Sequence, residues 1–147
     1  MGKKIKLGVI GDPIDHSLSP LIHSQFGEEL GINLEYKPYH VVDGELDNFI
    51  KNFFENGGFG LNVTLPHKLN CIRSADILSS EVELLGAANT LSKNSKNQII
   101  ASSTDGLGLI RDCFEKKIEI TDKRVLILGA GGASQSIIPA IQYSSCV

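Results

Sequence analysis

The chain has 147 residues, enough for one domain with a core of its own. Hydrophobic residues make up 41% and charged residues 21%, the balance of an ordinary globular protein, and no apolar stretch is long enough to cross a bilayer. The net charge of −3 and the lack of a basic run exclude a general nucleic-acid binder, although local donors can still hold a small anion.

Ile5 to Ile10 is a short apolar run that ends at Gly11-Asp12-Pro13, so a strand and a turn are expected. Ser19-Pro20 then opens a helix, with serine as N-cap and proline at the first helical position. Ile22, Phe26 and Leu30 follow at four-residue spacing, and Gly31 stops the helix. Leu34 to Val42 reads as a second strand. Asp43 is the expected cap of a helix whose Leu46, Phe49, Ile50, Phe53 and Phe54 form one apolar stripe. Gly57-Gly58 ends it, and Phe59 to Val63 reads as a third strand.

Pro66 starts a helical turn, and the pattern from Ala75 to Leu85 predicts a helix. Asn89 to Ser92 and Gln98 to Ser102 read as strands joined by a polar turn. Ser103 or Thr104 caps the next helix, which carries Leu107, Ile110 and Phe114 on one side. Lys123 to Leu128 reads as a further strand and Gly132 onward as a helix. Strands alternating with helices predict an α/β fold, a mostly parallel sheet covered by helices on both faces.

Five polar or glycine-rich clusters sit where these strands meet loops or helices, the places where open α/β sheets put ligands. They are His16-Ser17-Leu18-Ser19-Pro20, Asn62-Val63-Thr64-Leu65-Pro66-His67-Lys68, Gly86-Ala87-Ala88-Asn89-Thr90, Ser103-Thr104-Asp105 and Gly129-Ala130-Gly131-Gly132-Ala133-Ser134. A lysine after a turn proline can give or take a proton when its surroundings tune it. A carboxylate at a helix start, Asp105, can orient that amine and hold a hydroxyl. Each cluster alone has a plain alternative: serines cap helices, a lone lysine is usually solvated, and Asn residues make turns. The glycines follow an apolar run and open a helix, the context of a phosphate-binding turn, although Ser134 fills the third position of the pattern.

The three cysteines, Cys71, Cys113 and Cys146, are odd in number and lack metal spacing, so they read as reduced thiols of an intracellular protein. The four histidines are not paired on a helix face, so no metal site is expected. Nothing at the N-terminus has the form of a signal peptide.

In order and spacing, the five clusters, with His23, resemble shikimate dehydrogenase over the whole chain. The resemblance implies a cytoplasmic, NADP-dependent oxidoreductase of aromatic amino-acid (chorismate) biosynthesis that reversibly reduces 3-dehydroshikimate to shikimate. It implies a shikimate-binding catalytic domain at 1–103, then a linker helix and the start of a Rossmann NADP-binding domain at 104–147. Carried over by motif, Lys68 and Asp105 form the catalytic pair. Ser17, Ser19, Asn62, Thr64, Asn89, Lys68 and Asp105 bind substrate, and Gly129, Ala130, Gly131, Gly132 and Ala133 hold NADP. Two positions depart from the pattern: Ser103 stands where Asn is usual, and Ala88 where Val is commoner.

Lys123 to Val147 is 25 residues, short of the roughly 30 that a βαβ unit needs, so the Rossmann piece is expected to be incomplete and the chain the first half of a longer protein. The substrate is a small molecule, with neither nucleic acid nor membrane as partner, and a homodimer is compatible with the resemblance. A quinate/shikimate dehydrogenase of relaxed specificity is the near alternative. A non-catalytic fragment that only binds shikimate is the alternative of another class.

Overall fold

The computed structural model describes residues 4–144. Its centre is β1 (Ile5–Gly11), flanked in parallel by β2 (Leu34–His40) and β3 (Gly58–Val63). Beyond β3 the direction reverses. β5 (Thr90–Lys93) runs antiparallel to β3, β6 (Ile99–Ser102) antiparallel to β5, and the short β4 (Ile77–Leu78) parallel to β6. The six strands lie in the order β2-β1-β3-β5-β6-β4, a mixed, mostly parallel sheet that bears out the α/β reading.

Side chains alternate across each strand, so one strand feeds two cores. On one face Ile10, Leu61, Val63, Leu91 and Ala101 meet α2 (Leu46–Glu55) through Leu46, Ile50, Phe53 and Phe54. The apolar stripe read from the sequence is thus the seam of the main core. On the other face Val9, Ile14 and Tyr36, with Leu7 and Leu34, form a smaller cluster. Over β2 and β1 on that side lies α1 (Ser19–Glu29). Gly27 permits the approach, since a Cβ there would stand 2.7 Å from a Leu34 methyl.

The C-terminal part is helical. α3 (Ser80–Leu85) and α4 (Asp105–Glu115) pack with α5 (Gly132–Ser144) near the edge strand. α4 and α5 meet at Gly106, where a Cβ would lie 2.6 Å from the Ser136 carbonyl oxygen and 2.7 Å from the Ala140 methyl.

Several expectations need correction. Ile22, Phe26 and Leu30 do not face a core; all three are exposed. A four-residue step advances about 40° beyond a full turn, so these residues spiral off the narrow strip that β1 and β2 offer. Leu107 and Phe114 of α4 are likewise exposed, because α5 covers that helix on its Gly106 side. Ser19 is not the N-cap of α1; Leu18 holds that position, and the Ser17 hydroxyl oxygen accepts the Ser19 N–H at 3.2 Å. Asp43 does not cap α2 either. It lies in a 3-10 turn, Asp43–Glu45, and its carboxylate accepts from Asn70 Nδ2 at 3.1 Å. Thr104 is the N-cap residue of α4, but neither its side chain nor that of Ser103 makes a capping bond.

The helix expected over Ala75–Leu85 occupies only its second half. Asp76 exchanges bonds with Ile99, whose N–H reaches the Asp76 carboxylate at 2.7 Å while the Asp76 N–H reaches the Ile99 carbonyl at 2.8 Å. That clamp draws Ile77–Leu78 into the sheet, and Ser79, accepting from the Val82 N–H, starts α3. The strand expected over Lys123–Leu128 is absent. A strand needs a neighbour for its ladder, and among the described residues none pairs with this segment. Leu126 and Leu128 are accordingly 83% and 88% exposed. Cys146 lies outside the described residues.

Ile50 is fully buried at the centre of the main core. Ile50→Ala is expected to cost about 2–5 kcal/mol of stability, the range for truncating a buried aliphatic side chain, measured as a drop in the urea midpoint at unchanged slope.

Candidate functional site

The C-terminal ends of β1 and β3 and the starts of α1, β5 and α4 gather at one end of the sheet. β3 delivers the Asn62–Lys68 segment there. The Thr64 N–H bonds the Ile10 carbonyl at 3.0 Å, and the His67 N–H bonds the Thr64 carbonyl at 2.9 Å, closing the turn. His67 is fully buried, and its Nε2 stands 2.6 Å from the Val41 carbonyl oxygen. A carbonyl only accepts, so Nε2 carries the proton. His67 therefore anchors the turn and has no catalytic posture; His16 is exposed.

Lys68 follows, with its own carbonyl held by the Ala88 N–H at 2.9 Å. Its ammonium reaches Asp105 Oδ2 at 2.5 Å, across 37 positions of sequence. The side chains are 17% and 26% exposed, so the pair is sheltered yet open to a small molecule. The second carboxylate oxygen, Oδ1, accepts from Asn89 Nδ2 at 2.8 Å. Asn89 is itself locked: its Oδ1 accepts the Thr104 N–H at 3.1 Å and the Thr90 hydroxyl at 2.9 Å. Its Nδ2 also lies 2.9 Å from Thr104 Oγ1.

The network continues across the sheet. Asn62 Nδ2 points to Thr90 Oγ1 at 3.4 Å, and the Tyr36 hydroxyl donates to Asn62 Oδ1 at 2.7 Å. The His23 ring stacks on Tyr36 at 4.1 Å between centroids, with its Nδ1 2.9 Å from the Ser19 carbonyl oxygen. Burial pushes the Tyr36 phenol up to about 12, so it remains a donor.

The residues singled out in the sequence thus fall into three groups. Asn62, Lys68, Asn89 and Asp105 share one hydrogen-bonded system through Thr90, while Ser19 bonds Ser17 through its N–H and His23 through its carbonyl. Thr64 stands beside them at the end of β3. The glycine run approaches from the other side: a Cβ on Gly132, the first residue of α5, would lie 3.0 Å from Lys68 Cβ. Gly129 has φ +120°, and a Cβ on Gly131 would meet open space, so backbone there is free to take a ligand.

Tyr36, Thr90 and Thr104 were missed by reading motifs. A signal existed for the first two. An amide between Leu61 and Val63 in a strand must find buried partners, and the neighbouring strands offer Tyr36 and Thr90.

A larger recess, about 710 Å³, lies between α4 and the loop after it, lined by Ile110, Phe114, Ile118 and Ile120. It has few polar groups and stands apart from the charged pair, so chemistry rather than size locates the site. Cys71 is excluded as a nucleophile: it is fully buried, and burial pushes its thiol up to about 12. Among the described residues no group of three or more His, Cys, Asp or Glu side chains could hold a metal, and no helix is long and apolar enough to cross a membrane.

Residues 9–91 match the family model of the shikimate dehydrogenase substrate binding domain. The chain is 40% identical over 144 residues to a shikimate dehydrogenase (NADP(+)) of Buchnera aphidicola, covering 98% of this chain and 51% of that protein. It is 47% identical over 133 residues to one of Legionella pneumophila, covering 90% and 49%. Among solved structures it is similar to shikimate 5-dehydrogenase of Listeria monocytogenes in complex with shikimate and NAD, at TM-score 0.86 and 36% identity, covering 95% and 48%. The Thermus thermophilus enzyme in complex with NADP(H) and shikimate superimposes at TM-score 0.89, with 28% identity, covering 95% and 52%. The chain spans about half the length of the curated relatives it matches.

The Cys71 thiol carries a pH prediction. Below pH 9 it is protonated in both folded and unfolded chains. Between pH 9 and about 12 the unfolded chain has lost a proton that the folded chain keeps, so stability falls as pH rises. The slope approaches about 1.4 kcal/mol per pH unit. Urea unfolding from pH 8 to 10 is expected to show this decline and Cys71→Ala to reduce it, because the raised Tyr36 phenol adds a decline of the same sign only above pH 10.

Proposed function

The chain belongs to the family of shikimate dehydrogenase substrate binding domains, and we propose that it holds the shikimate-binding and proton-transferring half of an NADP-dependent shikimate dehydrogenase. We assign residues 1–103 to the catalytic domain, and residues 104–147 to a linker helix and the start of the NADP-binding domain. The observation that carries this reading is the Lys68–Asp105 pair, held by Asn89 at the end of the sheet where the substrate motifs converge.

Shikimate is a carboxylate on a ring with several hydroxyls. The site matches that chemistry in kind. Ser17 and Ser19 present hydroxyls at the start of α1 for the carboxylate, where the helix N-terminus adds a favourable dipole. Asn62 and Thr64 place the ring. Asn89 and Asp105 supply fixed donors and acceptors for ring hydroxyls. When bound, NADPH supplies the hydride that reduces the ring carbonyl. The chain's own part is the proton. As the carbonyl oxygen gains negative charge, the Lys68 ammonium donates a proton to it and becomes a neutral amine, and in the reverse direction the amine takes that proton back. Asp105 keeps the amine aimed.

The glycine run fits a dinucleotide phosphate. Gly129 takes a backbone angle that other residues rarely adopt, Gly131 leaves room, and the first N–H groups of α5 follow. Gly129, Ala130, Gly131, Gly132 and Ala133 are therefore the residues we assign to the cofactor. Their closeness to Lys68 brings cofactor and proton donor to one place. The relatives' names favour NADP as that cofactor. The absence of a basic run and of a membrane-spanning helix among the described residues supports a small-molecule enzyme, which we place in the cytoplasm. A homodimer is compatible with this reading.

Two measurements test the reading. Shikimate is expected to raise the melting temperature of the wild-type chain and not that of Asp105→Ala. In the NADP-coupled oxidation of shikimate, followed by the absorbance of reduced nicotinamide, Lys68→Ala is expected to lower kcat by about 10²-fold or more, with shikimate still bound. An unchanged rate would remove Lys68 from the chemistry. Stabilisation by shikimate without turnover in the wild type would leave a binding domain alone.

A further inference from the structure

Asn62 is an amide in an otherwise apolar stretch of strand, and an amide turned by 180° keeps its shape while exchanging donor for acceptor. In a site that reads hydroxyls and a carboxylate, such a turn inverts what a ligand meets. The orientation of Asn62 is set from a distance. The Thr104 backbone N–H can only donate, so it fixes Asn89 Oδ1 as the acceptor. The Thr90 hydroxyl proton is then committed to that same oxygen, and Thr90 Oγ1 is left to accept. Asn62 must therefore turn Nδ2 towards Thr90, which places Oδ1 against the Tyr36 hydroxyl. The Thr90 bond is long, 3.4 Å, whereas the Tyr36 bond is 2.7 Å.

We propose that Tyr36 is a positioning residue: its hydroxyl locks the amide of Asn62, which through Thr90 and Asn89 belongs to one oriented network with Asp105. The role lies in the hydroxyl. A phenyl ring would fill the same space and stack equally on His23. The high burial of the phenol keeps the proton on the oxygen at any physiological pH. The inference rests on the shikimate reading for its consequence, although not for its geometry.

The test is a double-mutant cycle on shikimate affinity by calorimetry, joined to the side-chain amide resonances of Asn62 in a nitrogen-15-labelled chain. Tyr36→Phe is expected to weaken shikimate binding about fivefold, the factor that one net hydrogen bond carries, and to move the Asn62 amide resonances. In an Asn62→Ala background the same substitution is expected to add nothing, because Tyr36 acts through Asn62. Unchanged affinity in Tyr36→Phe, or the same fivefold loss persisting in Asn62→Ala, would overturn the proposal. If the wild type does not take up shikimate, the functional reading fails. The amide resonances then decide the network alone, and unmoved Asn62 signals in Tyr36→Phe would sink it.

Discussion

Asn89 ties the start of α4 to the start of β5, and the position of Asp105 depends on that tie. One side chain accepts the Thr104 N–H, accepts the Thr90 hydroxyl and donates to the Asp105 carboxylate. Its own backbone is also committed, with its N–H on the Ser102 carbonyl at 3.1 Å and its carbonyl on the Val63 N–H at 2.7 Å. Asn89 thus stands between β3 and β6 as a main-chain spacer while its side chain reaches forward to α4. The N–H at the start of α4 is one that the helix itself cannot satisfy. Here it is spent on the residue that holds the Asp105 carboxylate.

The charged pair is built to be used rather than to stabilise. A sheltered ammonium and carboxylate lose hydration, and their attraction roughly compensates for it. The flanking bond from Asn89 holds the carboxylate in place, and the half-open setting leaves the pair within reach of a small molecule. The main chain of Lys68 is held at its carbonyl, which accepts the Ala88 N–H and, at 3.6 Å, the Cys71 thiol. The fully buried His67 fixes the preceding residue to the end of β2. Rigid framing on both sides of a flexible four-carbon stem is what makes a defined Lys68–Asp105 distance attainable.

The parts legible in the sequence were those where local pattern and tertiary fate agree. The α2 stripe is one, because Leu46, Ile50, Phe53 and Phe54 needed only an apolar sheet opposite them. The β5–β6 hairpin is another, with Asn97 at positive φ in its turn. The polar clusters were legible as a joint pattern, and the Lys68–Asp105 contact joins two of them as expected. The failures share a cause. Ile22, Phe26 and Leu30, Leu107 and Phe114, and Leu126 and Leu128 are apolar residues whose burial depends on surfaces that the described residues do not provide. Hydrophobic spacing reports a helix or strand and not what covers it. Ser19 and Asp43 were misassigned as caps for a different reason: each makes bonds near a helix start, but with partners chosen by the tertiary fold.

Gly132 shows how far a motif reading can be right for an incomplete reason. In the sequence it belongs to a run of glycines that lets backbone approach a phosphate. In the fold it also borders Lys68, and a methyl group there would press on the lysine stem at 3.0 Å. That is tighter than most side-chain contacts, so the lysine stem would have to shift by a few tenths of an ångström beside a carboxylate that Asn89 holds in place. The same geometry recurs one helix away, where Gly106, the residue after Asp105, admits the α5 backbone at Ser136. Two glycines thus bring α5 against both members of the charged pair, one beside Lys68 and one beside Asp105.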